Sequence, residues 1–517
     1  MNATLLPVLP VLLPLLGAAA TVVAGRSATA QRVIGVAVLT AVAAVAVVLL
    51  VQADQHGPVV AEIGGWPAPV GIVLVADRVS ALLLLISTVV TLAVLVYAID
   101  QRIVDYGRRT ASTTFHPIFL VLSAGVSLAY LTGDLFSLFV AFEIMLAASY
   151  VLITRRTDAT RIRSGMTYVI ISLASSLLFL TTVALVYAAT GTVNLADLAT
   201  RVAELPTGLQ TVLALLVVVT FGIKAAIVPL HFWLPDSYPN APAPVTALFA
   251  GLLTKVGIYA LLRTRTLIFP ESISSAGHPS TLLLVLAAVT MIVGVLGALA
   301  QNDLNRLLSF LLVSHIGFMI FGLAVSDAQG VAGTALYVVH HITVQATLFL
   351  VSGLITRRTG TVSIDAMGGL AKRAPLLAVL FAIPALTLAG VPPTSGFVAK
   401  LALLQAGADN GPATAIVAGI VILASLLTLY AVVRVWVRVF WGEPKEPLPD
   451  DDPDDELVVG TARSSRPMVV ASAALVAVSI AIAVVAGPLS ALTSRAGDDL
   501  VDRTPYRTAV LGNGGAP

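Results

Sequence analysis

The chain has 517 residues, of which 11% are charged and 58% are apolar, and its formal net charge is +2. Soluble domains carry roughly 25% charged residues, so a chain with about half of that cannot cover its surface with charge. We therefore expect an integral membrane protein. The small net charge gives no reason to expect a nucleic-acid partner. The absence of cysteine excludes disulfides and thiolate metal sites.

Fourteen apolar stretches follow one another along the chain. A membrane helix needs about 20 residues, because its backbone must satisfy its own hydrogen bonds in lipid. The stretches cover 4–24, 32–52, 78–99, 115–132, 134–154, 163–188, 208–229, 243–264, 281–300, 304–325, 331–355, 374–407, 413–440 and 467–487. The first lacks the basic start of a signal peptide and is kept as a span. The sequence predicts an all-α polytopic membrane protein of about 14 transmembrane helices.

These stretches divide the chain into five parts. Residues 1–110 form an N-terminal three-helix segment, 111–265 hold helices 4–8, and 281–441 hold helices 9–13. Residues 442–466 form an acidic cytoplasmic loop, and 467–517 contain the last helix and a flexible tail. The loop reads as a solvated linker, although a partner surface is the alternative.

The distribution of lysine and arginine predicts the orientation of the chain, because these residues are retained on the cytoplasmic side. Loops after odd-numbered helices hold 19 of them and loops after even-numbered helices hold four. We expect a multi-pass protein of the cell (inner) membrane, with both termini outside and the odd-to-even loops cytoplasmic.

Seven ionisable residues lie well inside the apolar stretches, away from their ends, where a charge costs about 2.5–3.5 kcal/mol or more and indicates a functional position. They are Glu143, Lys224, Lys255, His315, His340, His341 and Lys400. His340 and His341 point about 100° apart on a helix, so we expect one of them to face a polar interior. His315 is a weaker candidate, and Asp134 is explained by capping at the start of a helix.

The choice of lysine over arginine separates two interpretations of these positions. The chain has 24 arginines and five lysines, and three of the lysines lie within spans. A desolvated lysine can release its proton, whereas arginine in a protein cannot, so the pattern favours proton handling. Static ion pairs or snorkelling side chains are the alternative. Glu143 is the natural counter-charge for Lys224, which would make the two an electrostatic switch.

Proline clusters mark two interrupted helices, each close to a buried lysine. Pro229 and Pro235 follow Lys224, and Pro392 and Pro393 precede Lys400. Irregular backbone at membrane depth requires a protein or water-filled surrounding, and two such breaks are typical of an inverted repeat. His231 and Asp236 could form a metal or acid–base pair, but a proline-rich turn explains them more simply. We predict no metal site and no cofactor.

Four segments resemble one known family. FGIKAAIVPLHFWLPDSYPNAPAPVTALFAGLLTKVGIYALLR, QNDLNRLLSFLLVSHIGFMI, HHITVQATLFLVSG and AGVPPTSGFVAKLALL are similar to the antiporter-like subunits shared by respiratory complex I, membrane-bound hydrogenases and Mrp-type multisubunit antiporters. LFVAFEIMLAASYVLITRR looks most like the D-type branch of the Mrp antiporters. The resemblance implies fourteen helices with two inverted five-helix repeats, 111–265 and 281–441, each with one broken helix.

The resemblance also assigns roles to individual residues. It implies that Glu143, Lys224, Lys255, His341 and Lys400 translocate protons, and His315 matches a histidine present in some members. Two positions depart from the pattern. Gln345 stands where several relatives have lysine, which puts in doubt a relay that needs a charge there, and Asn305 replaces a frequent lysine.

From these residues we expect a secondary transporter subunit rather than an enzyme. It would be the proton-translocating subunit of a multisubunit Na⁺ (or other monovalent cation)/H⁺ antiporter, driven by the proton motive force, with other Mrp subunits and the lipid bilayer as partners. The alternatives are a pump module of complex I or of a membrane-bound hydrogenase, which would copurify with redox subunits, and a non-transporting membrane scaffold.

Overall fold

The computed structural model describes residues 3–25, 27–100, 114–154, 159–270, 280–443 and 466–512. The predicted acidic loop at 442–466 lies almost wholly outside these residues. The fold is helical, as expected. Twelve helices within the described residues are long and apolar enough to cross a membrane, and two shorter apolar helices, Phe115–Leu131 and Pro375–Ala389, accompany them. Each of the fourteen predicted stretches coincides with helix, while the number of membrane crossings stays a prediction.

The first half of the chain contains eleven α-helices and two short strands among the described residues. They are α1 (Leu9–Ala24), α2 (Ala28–His56), β1 (Val59–Glu62), β2 (Val73–Ala76), α3 (Arg78–Asp100), α4 (Phe115–Leu131), α5 (Leu135–Ile153), α6 (Ala159–Thr190), α7 (Leu195–Arg201), α8 (Thr207–Ala225), α9 (Trp233–Ser237), α10 (Ala243–Leu248) and α11 (Thr254–Leu267). A π-helical turn, Phe249–Leu253, joins α10 to α11. The antiparallel β1–β2 hairpin was not expected from the sequence.

The second half continues with helices alone among the described residues. They are α12 (Thr281–Leu299), α13 (Leu304–Val325), α14 (Ala328–Thr359), α15 (Leu370–Arg373), α16 (Pro375–Ala389), α17 (Ser395–Ala408), α18 (Pro412–Val435), α19 (Arg466–Val484), α20 (Ala486–Asp502) and α21 (Thr504–Leu511). A π-helical turn, Trp436–Trp441, extends α18. α13 and α14 are almost entirely buried, whereas α6, α12 and α18 expose leucine, valine and isoleucine side chains outward. Such an apolar outer surface fits a lipid environment.

Both predicted helix breaks are present. α8 ends at Ala225 and the next residue, Ala226, has a left-handed backbone with φ of 61°. α16 ends at Ala389 and is followed by Gly390 with φ of 87°. Glycine adopts this conformation without strain, whereas a non-glycine residue adopts it rarely. The two halves also share an isolated antiparallel bridge, Asp134 with Asn194 in one and Asp303 with Ser363 in the other.

The C-terminal stretch differs from the expected flexible tail. α20 and α21 pack onto the helix ends, and a Cβ at Gly497 would come close to the backbone of Ala328 at the start of α14. Ion pairs fix the same region, because Asp54 binds both Arg78 and Arg495 at 2.8 Å and Arg78 also pairs with Asp499. The sequence interpretation missed these helices because α20 is too polar to register as a span.

Candidate functional site

Lys224 lies in the last turn of α8, where the helix stops before Ala226. Its Nζ atom donates a hydrogen bond to Ser176 Oγ at 3.1 Å and lies 5.6 Å from the centre of the Phe142 ring. The last carbonyl groups of a helix carry partial negative charge, so this position favours a cation. The break in α8 therefore supplies part of the environment that a buried lysine needs.

Glu143, the predicted counter-charge, is placed on α5 within electrostatic range of Lys224. Lys224 nevertheless donates its side-chain hydrogen bond to Ser176. The Oε1 atom of Glu143 is buried and has no hydrogen-bond partner within the described part of the chain. The two residues thus interact through space, without the closed ion pair that would lock the lysine in its charged form.

Lys255 is completely buried at the start of α11. Its Nζ atom donates to the carbonyl oxygen of Ala250 at 2.5 Å and to Thr254 Oγ1 at 3.3 Å. Ala250 lies within the π-helical turn, a distortion that is frequent at functional sites. A Cβ on Gly251 would come within 3.4 Å of the Ile342 carbonyl oxygen. The turn thus packs closely against α14, next to the two histidines of that helix.

Three histidines and one tyrosine form a fully buried group between α13 and α14. His315 Nδ1 and the Tyr337 hydroxyl are 2.6 Å apart, and the His315 and His341 rings lie 5.2 Å apart between their centres. The Tyr337 ring lies 5.5 Å from that of His340. Both adjacent histidines are therefore in the polar interior, contrary to the expectation that only one of them would be. Tyr337 lies between them because residues three and four apart share a helix face.

Lys400 extends this group toward α16 and α17. Its Nζ atom donates to the carbonyl oxygens of Leu388 and Ala389, at 3.0 and 2.8 Å, which end α16. His340 Nδ1 lies 3.0 Å from Ser395 Oγ, in the first turn of α17. A Cβ on Gly396 would overlap the Thr387 carbonyl oxygen, so the two half-helices approach closely only with glycine there. Lys400, like Lys224, is held at a broken helix end.

The predicted site residues thus fall into two groups. The first comprises Glu143 and Lys224, with Ser176 as a partner. The second is the basic cluster, defined as Lys255, His315, His340, His341 and Lys400 together with Tyr337. Electrostatic interactions connect its histidines with one another and with Lys255 and Lys400, and within the described chain these histidines interact with no acidic side chain. Gly257 lies between the groups, where α11 crosses the end of α8 closely.

The structure also places three weaker candidates of the sequence, Asp134, His231 and Asp236. Asp134 caps α5 by accepting a hydrogen bond from Ser137 N, as expected. Asp236 pairs with Arg306 at 3.2 Å on an exposed surface rather than with His231, and burial lowers the pKa of His231. Within the described residues no group of histidine, aspartate and glutamate side chains has the arrangement of a metal site.

The two departures from the family pattern both have structural partners. Gln345 is buried and donates from Nε2 to the Leu308 carbonyl oxygen at 2.9 Å. Asn305 Oδ1 accepts a hydrogen bond from Ser352 at 2.7 Å. A glutamine side chain does not ionise, so position 345 cannot be a charged member of a proton relay.

A polytopic helical fold with buried lysines at two broken helix ends, and buried histidines beside one of them, is typical of a membrane ion-transport protein. Residues 132–428 match the family model described as NADH:quinone oxidoreductase/Mrp antiporter, TM, and the chain belongs to this family.

Its relatives include the D-type Na⁺/H⁺ antiporter subunit of Alkalihalophilus pseudofirmus, which is 39% identical over 98% of this chain and 99% of that protein. The D-type subunit of the Bacillus subtilis Na⁺/H⁺ antiporter is 38% identical over 85% of this chain and 87% of that protein.

Solved structures show the same fold. A chain of the Mrp complex from Dietzia sp. DQ12-45-1b superposes with a TM-score of 0.89 at 33% identity, covering 99% of this chain and 100% of that chain. A chain of the archaeal membrane-bound sulfane sulfur reductase gives a TM-score of 0.85 at 25% identity, covering 98% and 99% of the two chains. A chain of Thermus thermophilus complex I, at 23% identity and a TM-score of 0.73 over 94% of this chain and 99% of that one, shares the fold.

Proposed function

We propose that this chain is the proton-translocating subunit of a multisubunit Na⁺/H⁺ antiporter. The observation that carries the proposal is the buried basic cluster, in which titratable side chains follow one another from Lys255 through the histidines to Lys400. The sequence identity of 39% to an antiporter subunit, compared with 25% to a chain of the sulfane sulfur reductase, favours an antiporter over a redox-driven pump. Its partners would be the other antiporter subunits.

In this proposal Glu143 controls the charge of Lys224 through space. While Glu143 is ionised, it stabilises the ammonium form of Lys224; when that influence weakens, the lysine can release its proton toward the basic cluster. Lysine suits this role because, unlike arginine, it exists in both charge states in proteins. Lys255, His341 and Lys400 would then carry protons, with His315 and His340 as additional members.

We also propose the orientation that the arginine distribution predicts, with both termini outside and α20 and α21 on the outer face. The ion pairs support the alternating path on which this orientation depends, because Asp54, Arg78 and Arg495 come from helix ends that such a path puts on one side. Asp236 and Arg306 come from ends that the same path puts on the other. The left-handed residues at both helix breaks and the matching bridges support the two repeats.

The test measures cation-dependent proton flux in everted membrane vesicles that contain the complete complex. Lys224→Ala and Glu143→Ala should abolish the flux while the protein still inserts and copurifies with its partners. Lys372→Ala is the matched control, because Lys372 lies in the short helix α15 outside the predicted spans, and it should retain the flux. Wild-type flux in either Lys224→Ala or Glu143→Ala would refute the proposed function, and copurifying iron–sulfur or flavin subunits would favour the redox-driven pump.

A further inference from the structure

An apolar crevice lies where the two predicted repeats meet, apart from both groups of site residues. α8 and α11 of the first repeat contribute Ala214 and Leu261 to its lining. α12 and α13 of the second repeat contribute Leu283 and Leu323. The volume of the crevice, measured to its open mouth, is about 330 Å³. Whatever fills this space therefore contacts both halves of the fold at once.

The lining of the crevice favours hydrocarbon over water. Of the ten described residues that line it, eight are apolar, and the other two are Thr264 and Arg265. The Thr264 hydroxyl already donates a hydrogen bond to the Ala260 carbonyl oxygen at 2.7 Å. A buried water needs two to four polar partners, and this lining offers few. An empty space would leave the apolar side chains without dispersion contacts on one side, so an apolar occupant is favoured.

The mouth of the crevice opens on the apolar outer surface of the helix bundle. Leu215 and Val219 on α8 are 38% and 41% exposed, although their neighbours Ala214 and Val218 line the crevice and are buried. On α12, Leu282 is 39% exposed beside the buried lining residue that follows it. The crevice is thus continuous with the surface that fits a lipid environment, and the lipid around the bundle can enter it.

The dimensions of the crevice select a single hydrocarbon chain rather than a helix of another subunit. Val228 N donates a hydrogen bond to Thr290 Oγ1 at 3.2 Å, which joins the segment after α8 to α12. This contact lies seven residues, or about 10 Å, beyond Leu283 on α12 and closes the crevice toward the middle of the bundle. A helix is about 10 Å across, so one turn of it would fill roughly 420 Å³. That exceeds the 330 Å³ of the crevice, whereas one acyl chain is narrow enough to enter.

A cation marks the other end of the crevice, near the helix termini. Arg265 lines the crevice, and its guanidinium donates hydrogen bonds to the Phe269 carbonyl oxygen at 2.6 Å and to Ser326 Oγ at 3.0 Å. α12 begins close by, because Ser280 N donates to the Ala324 carbonyl oxygen at 2.9 Å. The first turn of α12 has no acidic residue, and a helix N-terminus favours an anion. Charge complementarity therefore puts an anionic group at this end.

We propose that the crevice binds one acyl chain of an anionic phospholipid, with the lipid phosphate beside Arg265 and the start of α12. The lipid belongs to the leaflet at the end of the bundle that α20 and α21 cover. It fills the gap between α8 and α12 and so joins the two halves of the fold. The site does not depend on the proposed transport function, because no member of the two groups of site residues is among the described residues of its lining.

The first test counts, by mass spectrometry, the phospholipids that stay bound to the purified complete complex after detergent washing. Ala214→Phe puts a ring inside the crevice, whereas Leu215→Phe puts the same ring on the exposed surface next to it. We expect Ala214→Phe to lose one retained phospholipid per chain and Leu215→Phe to keep it. An equal count in the two variants would overturn the proposal.

The second test leaves the crevice open and detects its occupant by fluorescence. Phe269→Trp puts a tryptophan in the lining, and Phe119→Trp, on α4, is the control at a core position that is equally buried. The complex is placed in vesicles of phosphatidylglycerol whose acyl chains are brominated near the headgroup, because bromine quenches a tryptophan that it touches. We expect quenching of the added tryptophan, measured against the parent chain, to be at least about twofold stronger at position 269 than at position 119.

Two results of this test contradict the proposal. Equal quenching at the two positions means that no lipid chain enters the crevice. Quenching at position 269 that is present in the isolated chain and lost in the complete complex means that a side chain of another subunit occupies the crevice instead.

Arg265→Lys and Arg265→Met test the position of the phosphate, because lysine keeps the positive charge and methionine does not. Each is combined with Phe269→Trp, and the brominated phosphatidylglycerol is diluted into unbrominated phosphatidylcholine. With Arg265 or lysine, quenching should exceed the level that dilution alone gives, by about twofold. With methionine it should fall to that level. Equal quenching in the lysine and methionine variants would refute the assignment of the phosphate to Arg265.

Discussion

Asp77→Asn should destabilise the protein strongly, because it leaves a buried arginine without its counter-charge. Arg263, in the C-terminal half of α11, is 2% exposed, and its Nη2 atom lies 2.6 Å from Asp77 Oδ2. Its other partners are the Tyr259 hydroxyl at 3.0 Å and the Tyr506 ring at 4.9 Å. Neither of these neutral partners replaces a carboxylate. Removing one partner of a buried ion pair typically costs about 3–5 kcal/mol, and we expect a loss of this size.

Removing the other partner of the pair, in Arg263→Met, should lower the stability less. Asp77 would keep the hydrogen bond that it accepts from Ser80 N at 2.8 Å, at the start of α3, where the helix also favours negative charge. The double variant Asp77→Asn/Arg263→Met leaves no charge at the site of this buried pair. Its loss should therefore be smaller than the sum of the two single losses, by about 2 kcal/mol or more.

The assay is unfolding of the purified chain in mixed detergent micelles with increasing SDS, followed by the fluorescence of its four tryptophans. Asp236→Asn is the control, because Asp236 and Arg306 form an exposed pair with side chains 56% and 43% accessible. Exposed pairs contribute about 0–1 kcal/mol. The reasoning is refuted if Asp77→Asn costs no more than Asp236→Asn, or if the two substitutions at the buried pair are simply additive.

Two further substitutions test the basic cluster and the second helix break. Tyr337→Phe removes the hydroxyl that lies 2.6 Å from His315 and should lower proton flux about tenfold while the protein inserts normally. Tyr430 is exposed, so Tyr430→Phe should leave the flux unchanged. Equal flux in the two variants would argue against a role for the Tyr337 hydroxyl. Gly396→Ala should reduce the yield of folded protein in gel filtration, because the added Cβ would overlap a carbonyl oxygen of α16. A Cβ at Gly419 meets nothing within 4 Å, so Gly419→Ala should leave the yield unchanged. An equal yield for the two variants would show that the half-helices can separate.

The sequence allowed much of this architecture to be predicted, because membrane helices need long apolar stretches and leave few alternatives. The breaks near Lys224 and Lys400 were also predictable, since Pro229, Pro392 and Gly390 mark positions where a helix is difficult to continue. The identities of the predicted site residues came from the high cost of burying charge.

Other parts could not be predicted from the same patterns. Tyr337 and Ser395 are neutral, so nothing in the hydropathy distinguishes them from other residues of a membrane helix, and only the packing shows that they contact His315 and His340. α20 was missed because a helix that lies against other helix ends can be polar on one side, and the span criterion does not detect it.

The composition of the basic cluster limits how many protons it can hold at one time. The ring centres of His315 and His341 are 5.2 Å apart, and two positive charges at that separation repel by about 3 kcal/mol at an effective dielectric constant near 20. Double occupancy of this pair would be disfavoured by roughly a hundredfold. A proton that arrives from the Lys255 side would therefore favour release of its predecessor toward Lys400. Repulsion would thus couple arrival to departure without any large movement of the helices, while the proton motive force sets the direction of net transfer.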